Sequence, residues 1–136
     1  MKRKVLSILI ISAALLLLMG CSKTKKLEVF TKEDLEKKAS EVFETISNRD
    51  FDKLRELASD SLKEELTDEN IAQINDYLDE VGEFKKIKRK TYRELKEKEG
   101  DGVLGVVYYN VKYHEQKINY TFTFDKDYNF IGLLFR

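Results

Sequence analysis

One cysteine, one histidine, no proline and no tryptophan stand in a chain of 136 residues. A lone cysteine leaves no disulfide framework and no thiol cluster for a metal. The lone histidine, His114, falls at an expected hairpin tip, where a Ser-His-Asp arrangement or a histidine metal site would need partners brought to an exposed turn. The missing proline and tryptophan are a compositional habit from which no function follows. Neither charge is in excess, with Lys+Arg and Asp+Glu at 25 each. Three of the basic residues, Lys2, Arg3 and Lys4, precede the first apolar run, so the rest of the chain carries 22 basic against 25 acidic side chains, net −3. That balance argues against a polyanionic partner, and nucleic acid is not expected. The basic run Lys85-Lys86-Ile87-Lys88-Arg89-Lys90 is the one local exception.

What is present begins with the leader. Met1 to Lys4 is basic, Val5 to Leu18 is fourteen residues without a charge, and Leu18-Met19-Gly20-Cys21 closes the run, the order of an export signal. A spanning helix needs about 20 apolar residues, so a cleaved signal is favoured over a permanent span. The stretch resembles the lipobox of bacterial lipoproteins, with Leu18 at −3, Gly20 at −1 and Cys21 at +1. The resemblance implies diacylglycerol transfer to the Cys21 sulfur and cleavage after Gly20. Two acyl chains anchor stably where one binds marginally. Cys21 is therefore the expected lipidation site, residues 1–20 the signal peptide, and residues 21–30 a lipid-anchored tether whose lysines suit an anionic surface. The localisation that follows is the extracytoplasmic face of the cell membrane.

The folded part is expected over residues 31–136. Thr31 is an N-cap with Asp34 three residues on, and Phe30 can staple onto Leu35. Leu35, Ala39, Val42, Phe43 and Ile46 then form one helical stripe. Asp50 caps a shorter helix that breaks near Ser59-Asp60 and resumes to Leu66. Thr67 caps a third helix, with Ile71, Ile74, Leu78 and Val81 inward and Gly82 ending it. Beyond Gly82 the period changes to 2. Phe84 to about Lys96 reads as a charged edge strand, its lysines blocking further pairing, with a turn at Gly100-Asp101-Gly102. Val107, Tyr109 and Val111 fall opposite Phe122, Tyr120 and Ile118 if His114-Glu115 is a two-residue turn, although a longer loop would also fit. Asp125 to Asn129 turns the chain into a last strand carrying Ile131, Leu133 and Phe135.

The fold class that emerges is α+β, with N-terminal helices packed on one face of a four-stranded antiparallel meander. The phrase Asn48-Arg49-Asp50-Phe51-Asp52-Lys53-Leu54, the helix start Leu66-Thr67-Asp68-Glu69, the segment Val81 to Ile87, and Tyr120-Thr121-Phe122-Thr123-Phe124-Asp125-Lys126-Asp127 resemble a family of Gram-positive lipoproteins. The resemblance implies a domain of unknown function similar to the cone-like nuclear transport factor 2 fold, and it carries over no catalytic residue.

Two function classes follow. The first is a non-catalytic binding or interaction module on the membrane, recruiting a protein, a cell-wall component or a small apolar ligand. The second is a small-pocket enzyme of the cone fold doing acid-base chemistry, its pocket lined by Tyr109, Tyr120 and Phe122 with the tyrosines as hydroxyl donors. No carboxylate falls at the expected inward positions of the central strands, which favours the first. No cofactor and no metal are expected: Asp125-Lys126-Asp127-Tyr128-Asn129 imitates half a calcium loop, but Phe130 replaces the required glycine and Arg136 the bidentate glutamate. On the sheet's other face Leu104, Val106, Tyr108 and Leu134 make a half-apolar patch that no helix covers, a candidate partner or homodimer face.

Overall fold

A computed structural model describes residues 8–10, 27–97 and 102–136. Cys21, the tether through Lys26 and the Gly100-Asp101 turn lie outside the described residues. No described helix is long and apolar enough to cross a membrane.

The helices start where short polar side chains can take up free N–H groups. Thr31 Oγ1 accepts from Asp34 N at 3.1 Å and opens α1, Lys32–Ser47. Asp50 does the same for α2, Phe51–Leu57, Ser59 for α3, Asp60–Glu65, and Thr67 for α4, Asp68–Val81. The expected second helix is thus two. Its break has a tertiary cause: Ala58 bridges Phe130, and Ser59 N donates to Phe130 O at 2.8 Å, so this backbone is claimed by the last strand. Gly82 ends α4 at φ 85°, a conformation with little cost only for glycine.

The strands are β1 (Ile8–Ile10), β2 (Phe84–Lys96), β3 (Val103–Tyr113), β4 (Lys117–Phe124) and β5 (Phe130–Phe135), in spatial order β1-β5-β4-β3-β2. All neighbours are antiparallel. The four-stranded meander is as expected, and β2 lies at one edge. The difference is β1, which pairs Leu9 with Leu134 and makes a fifth strand. It falls inside the segment assigned to the leader, so cleavage after Gly20 would leave β5 as the other edge. Register matches the period-2 pattern, with Val111 opposite Ile118, Tyr109 opposite Tyr120 and Val107 opposite Phe122.

The β3–β4 turn is the two-residue His114-Glu115, closed by Tyr113 N donating to Gln116 O. Its sequence lacks the usual turn chemistry. Tertiary contacts hold it instead: His114 N donates to Glu83 O and Glu115 N to Val81 O, each at 2.8 Å. Gly82 leaves the room, since a Cβ there would sit 3.1 Å from His114 Cβ.

One core lies between the helices and the inner sheet face. Leu35, Ala39, Val42, Phe43 and Ile46 of α1, with Ile74, Tyr77, Leu78 and Val81 of α4, pack on Val107, Tyr109, Val111, Ile118, Tyr120, Phe122 and Phe135. Phe30 and Leu35 close it at one end, seated over Gly105, where a Cβ would approach both within 3.0 Å.

Candidate functional site

A polar cluster on the inner face lies between α1 and β2. Glu36 follows Leu35, so it flanks the apolar stripe and points along the helix–sheet seam. On β2, register irregularities between Phe84 and Lys86 and between Ile87 and Arg89 reset the alternation. From there Lys90, Tyr92 and Glu94 share the inner face, opposite Tyr109, Val107 and Gly105. Lys90 Nζ donates to Glu36 Oε2 at 2.6 Å. The hydroxyls of Tyr92 and Tyr109 donate to Oε1 at 2.6 and 3.0 Å. Lys90 also stands 5.1 Å from the Tyr109 ring centroid.

Burial alone would raise the Glu36 pKa, but the hydrogen bonds from Lys90, Tyr92 and Tyr109 outweigh it and hold the carboxyl below its usual 4.5. Tyr92 and Tyr109 move the other way, pushed up by burial and by the Glu36 charge. At neutral pH the carboxylate is ionised and both hydroxyls are protonated, each proton already committed to Glu36. Such a cluster fastens a helix to a sheet. It offers no free acid or base.

Glu94, the second inward carboxylate, is also committed. Its Oε2 accepts from the backbone N–H groups of Glu28, Val29 and Phe30 at 2.7, 2.5 and 2.8 Å. Neither acid belongs to the central strands, because Glu36 comes from a helix and Glu94 from the edge strand. Their sequence signal is the inward parity of Lys90, Tyr92 and Glu94, which the irregularities before them hide.

Of the three residues expected to line a pocket, Tyr109 belongs to the Glu36 cluster. Tyr120 and Phe122 are fully buried. Tyr120 shares a hydrogen bond of 2.6 Å with Tyr113, and burial pushes both hydroxyls up. Its ring stacks on Phe122 and meets Phe43 edge-on. This is packed core. His114 is exposed at its turn, 3.6 Å from Glu115 Oε2. Asp125 spends its carboxylate on its own loop, accepting from Asp127 N, Asn129 N and Asn129 Nδ2. Among the described residues no group of three or more metal-ligating side chains converges.

The outer face departs from expectation. Leu104, Val106 and Leu134 lie opposite the helical side as foreseen, yet they are 3%, 0% and 8% exposed, and Tyr108 is half-buried. Leu95 stands across from Leu104, and Arg93, across from Val106, lays its guanidinium 5.8 Å from the Tyr108 ring centroid. In this state Val106 is a folding residue, so a charge placed there tests stability rather than pairing. Towards the His114 end the same face turns basic. Lys88, Arg89, Tyr108, Asn110, Lys117 and Asn119 border an open cleft of about 500 Å³.

Residues 39–133 match the family model described as Protein of unknown function (DUF3887). The chain belongs to that family. The matched span starts within α1 and ends in β5, so the whole of β2, β3 and β4 is family fold, while Glu36 precedes it. An NMR structure of a protein from Ruminococcus gnavus ATCC 29149 is similar, with a TM-score of 0.69 at 28% identity, over 84% of this chain and 98% of that one. No curated protein matches.

The Glu36 cluster makes a pH prediction. A carboxyl whose folded pKa lies below its unfolded value contributes stability above the unfolded pKa and loses it as pH falls through the folded one. Unfolding in urea should therefore become easier as pH drops below 4.5. Glu36→Gln should flatten that part of the profile. Identical acid limbs in wild type and variant would refute the clamp.

Proposed function

We propose that the chain is an extracytoplasmic lipoprotein, held at the membrane through acyl groups on Cys21, whose folded part is a non-catalytic binding or interaction module. The α+β layers suit a cone of the nuclear transport factor 2 type. One observation carries the preference for binding over catalysis: Glu36 and Glu94, the inward carboxylates among the described residues, each already accept three hydrogen bonds from their own fold. A general acid or base must reach the proton it moves, and these groups are turned to the protein. A protein, a cell-wall component or a small apolar molecule remains the class of partner.

The anchor is tested by Cys21→Ser. The variant should take up no palmitate label and lose globomycin-sensitive processing, because this sulfur is the only thiol in the chain. A Cys21→Ser protein that still partitions with membranes after its leader is removed would end the lipoprotein reading. Recovery of partners with the acylated wild-type protein then addresses the module.

A further inference from the structure

The sheet carries a charge pattern that edge protection does not explain. Lysines on the edge strand β2 block pairing with other chains. Lys112 and Lys117, however, sit on the interior strands β3 and β4, directly opposite each other, and Lys86 stands opposite Lys112. Three lysines thus form one row across three strands. Like charges in facing positions destabilise a sheet. All three are exposed, as are Lys88 and Arg89 beside them. No carboxylate among the described residues pairs with any of the five. The repulsion is felt locally: Lys117 most, then slight desolvation, then Lys86 and Lys112 pull the Lys88 ammonium below its usual range.

The molecule is polarised around this row. Residues 32–81, the helical layer, hold sixteen acidic against seven basic side chains, while residues 84–136 hold twelve basic against seven acidic. A local rule broken without compensation inside the fold points to a partner outside it. A flat row of lysine ammonium groups, with Asn110 and Asn119 as further polar groups and an acidic layer behind, complements a plane of phosphate.

We propose that the outer face of the sheet at its Lys86–Lys112–Lys117 end binds anionic phospholipid headgroups, so that the domain lies on its sheet with the acidic helices turned away from the membrane. The proposal builds on the anchor reading for its proximity. Six residues from Cys21 to Lys26 reach about 20 Å extended, which keeps the domain within its own diameter of the surface. Basic residues near such a surface each strengthen binding by a factor of about five, and salt weakens it.

The test uses the full chain, mixed with vesicles of phosphatidylglycerol or of phosphatidylcholine, and site-resolved modification of lysines by an amine reagent. Lys86, Lys88, Lys112 and Lys117 should react several-fold more slowly with phosphatidylglycerol, and Lys53 and Lys63 on the helices equally with both. Salt near 1 M, where the Debye length is about 3 Å, should abolish the difference. In the triple variant Lys86→Gln, Lys112→Gln, Lys117→Gln, Lys88 should lose its protection while the urea midpoint stays equal or rises, since opposed charges are removed. Equal reactivity of the row in the two vesicles overturns the proposal. So does protection by added long-chain polyphosphate but not by phosphatidylglycerol, which would make the partner a soluble phosphate polymer. Palmitate label is read on the same protein. Its absence strikes the anchor alone, because the comparison between lipids holds with or without acyl groups.

Discussion

Phe122→Ala is expected to cost about 3 to 5 kcal/mol of folding stability, the range for deleting a fully buried aromatic side chain and leaving its cavity. Phe122 has no exposed surface and sits in the middle of β4, between Val107 of β3 and Leu133 of β5. Its ring meets Tyr109 edge-on at 5.3 Å and stacks on Tyr120 at 5.7 Å. The loss therefore spreads to neighbours whose hydroxyls are fixed to Glu36 and Tyr113 and cannot swing in to fill the hole. Thr121→Ala, one residue earlier and on the other face, removes far less volume and should cost roughly 1 kcal/mol. Urea unfolding followed by tyrosine fluorescence gives both values. A loss at Thr121 as large as that at Phe122 would contradict this assignment of the faces of β4, and a larger one would mean that they are exchanged.

How far the sequence announces this architecture depends on how local each signal is. The Thr31, Asp50 and Thr67 caps, the Gly82 stop and the β3–β4 register are all set by residues close in sequence. Each turns out where the pattern puts it. The break between α2 and α3 falls near Ser59-Asp60, as the pattern suggests, but its partner is Phe130, more than seventy residues later. Nothing near Ser59 could have announced that partner. The burial of Leu104, Val106 and Leu134 is not legible in the sequence for a related reason. Strand parity tells which face a side chain takes, and it says nothing of what shields that face.

The polar clusters divide in the same way. The Glu36 contacts join residues 54 to 73 positions apart, and those of Glu94 residues 64 to 66 apart. On β2 the irregularities at Phe84/Lys86 and Ile87/Arg89 shift the count within Lys85-Lys86-Ile87-Lys88-Arg89-Lys90, so alternation there assigns no face. Read as a run, these residues look like one charged edge. In three dimensions they part company: Lys90 turns inward to Glu36, while Lys86 joins Lys112 and Lys117 on the outer face. The like-charged row was already implicit in the correct register of β3 and β4. It needed the pairing of Lys86 with Lys112 to become visible.

Glu94→Ala is expected to destabilise the domain by about 3 kcal/mol, although the residue lies on an edge strand. Its buried carboxylate gathers three successive backbone N–H groups just ahead of α1. Hydrogen bonds to an ionised acceptor are about twice as strong as neutral ones. Truncation leaves Phe30 N–H buried without an acceptor, which alone costs about 1 to 3 kcal/mol, while the more exposed amides of Glu28 and Val29 can turn to water. The Phe30 ring would be loosened as well. It packs edge-on against Tyr128 at 5.2 Å and closes the core over Gly105. Glu94→Gln keeps one carbonyl acceptor and loses the charge, so it should fall between wild type and alanine. Amide hydrogen exchange separates this account from a general loss of stability: Val29 and Phe30 should exchange faster in Glu94→Ala under conditions where the β3 and β4 amides remain protected. Unchanged exchange at those two amides, or a glutamine variant no better than alanine, would show that the carboxylate does not hold this segment.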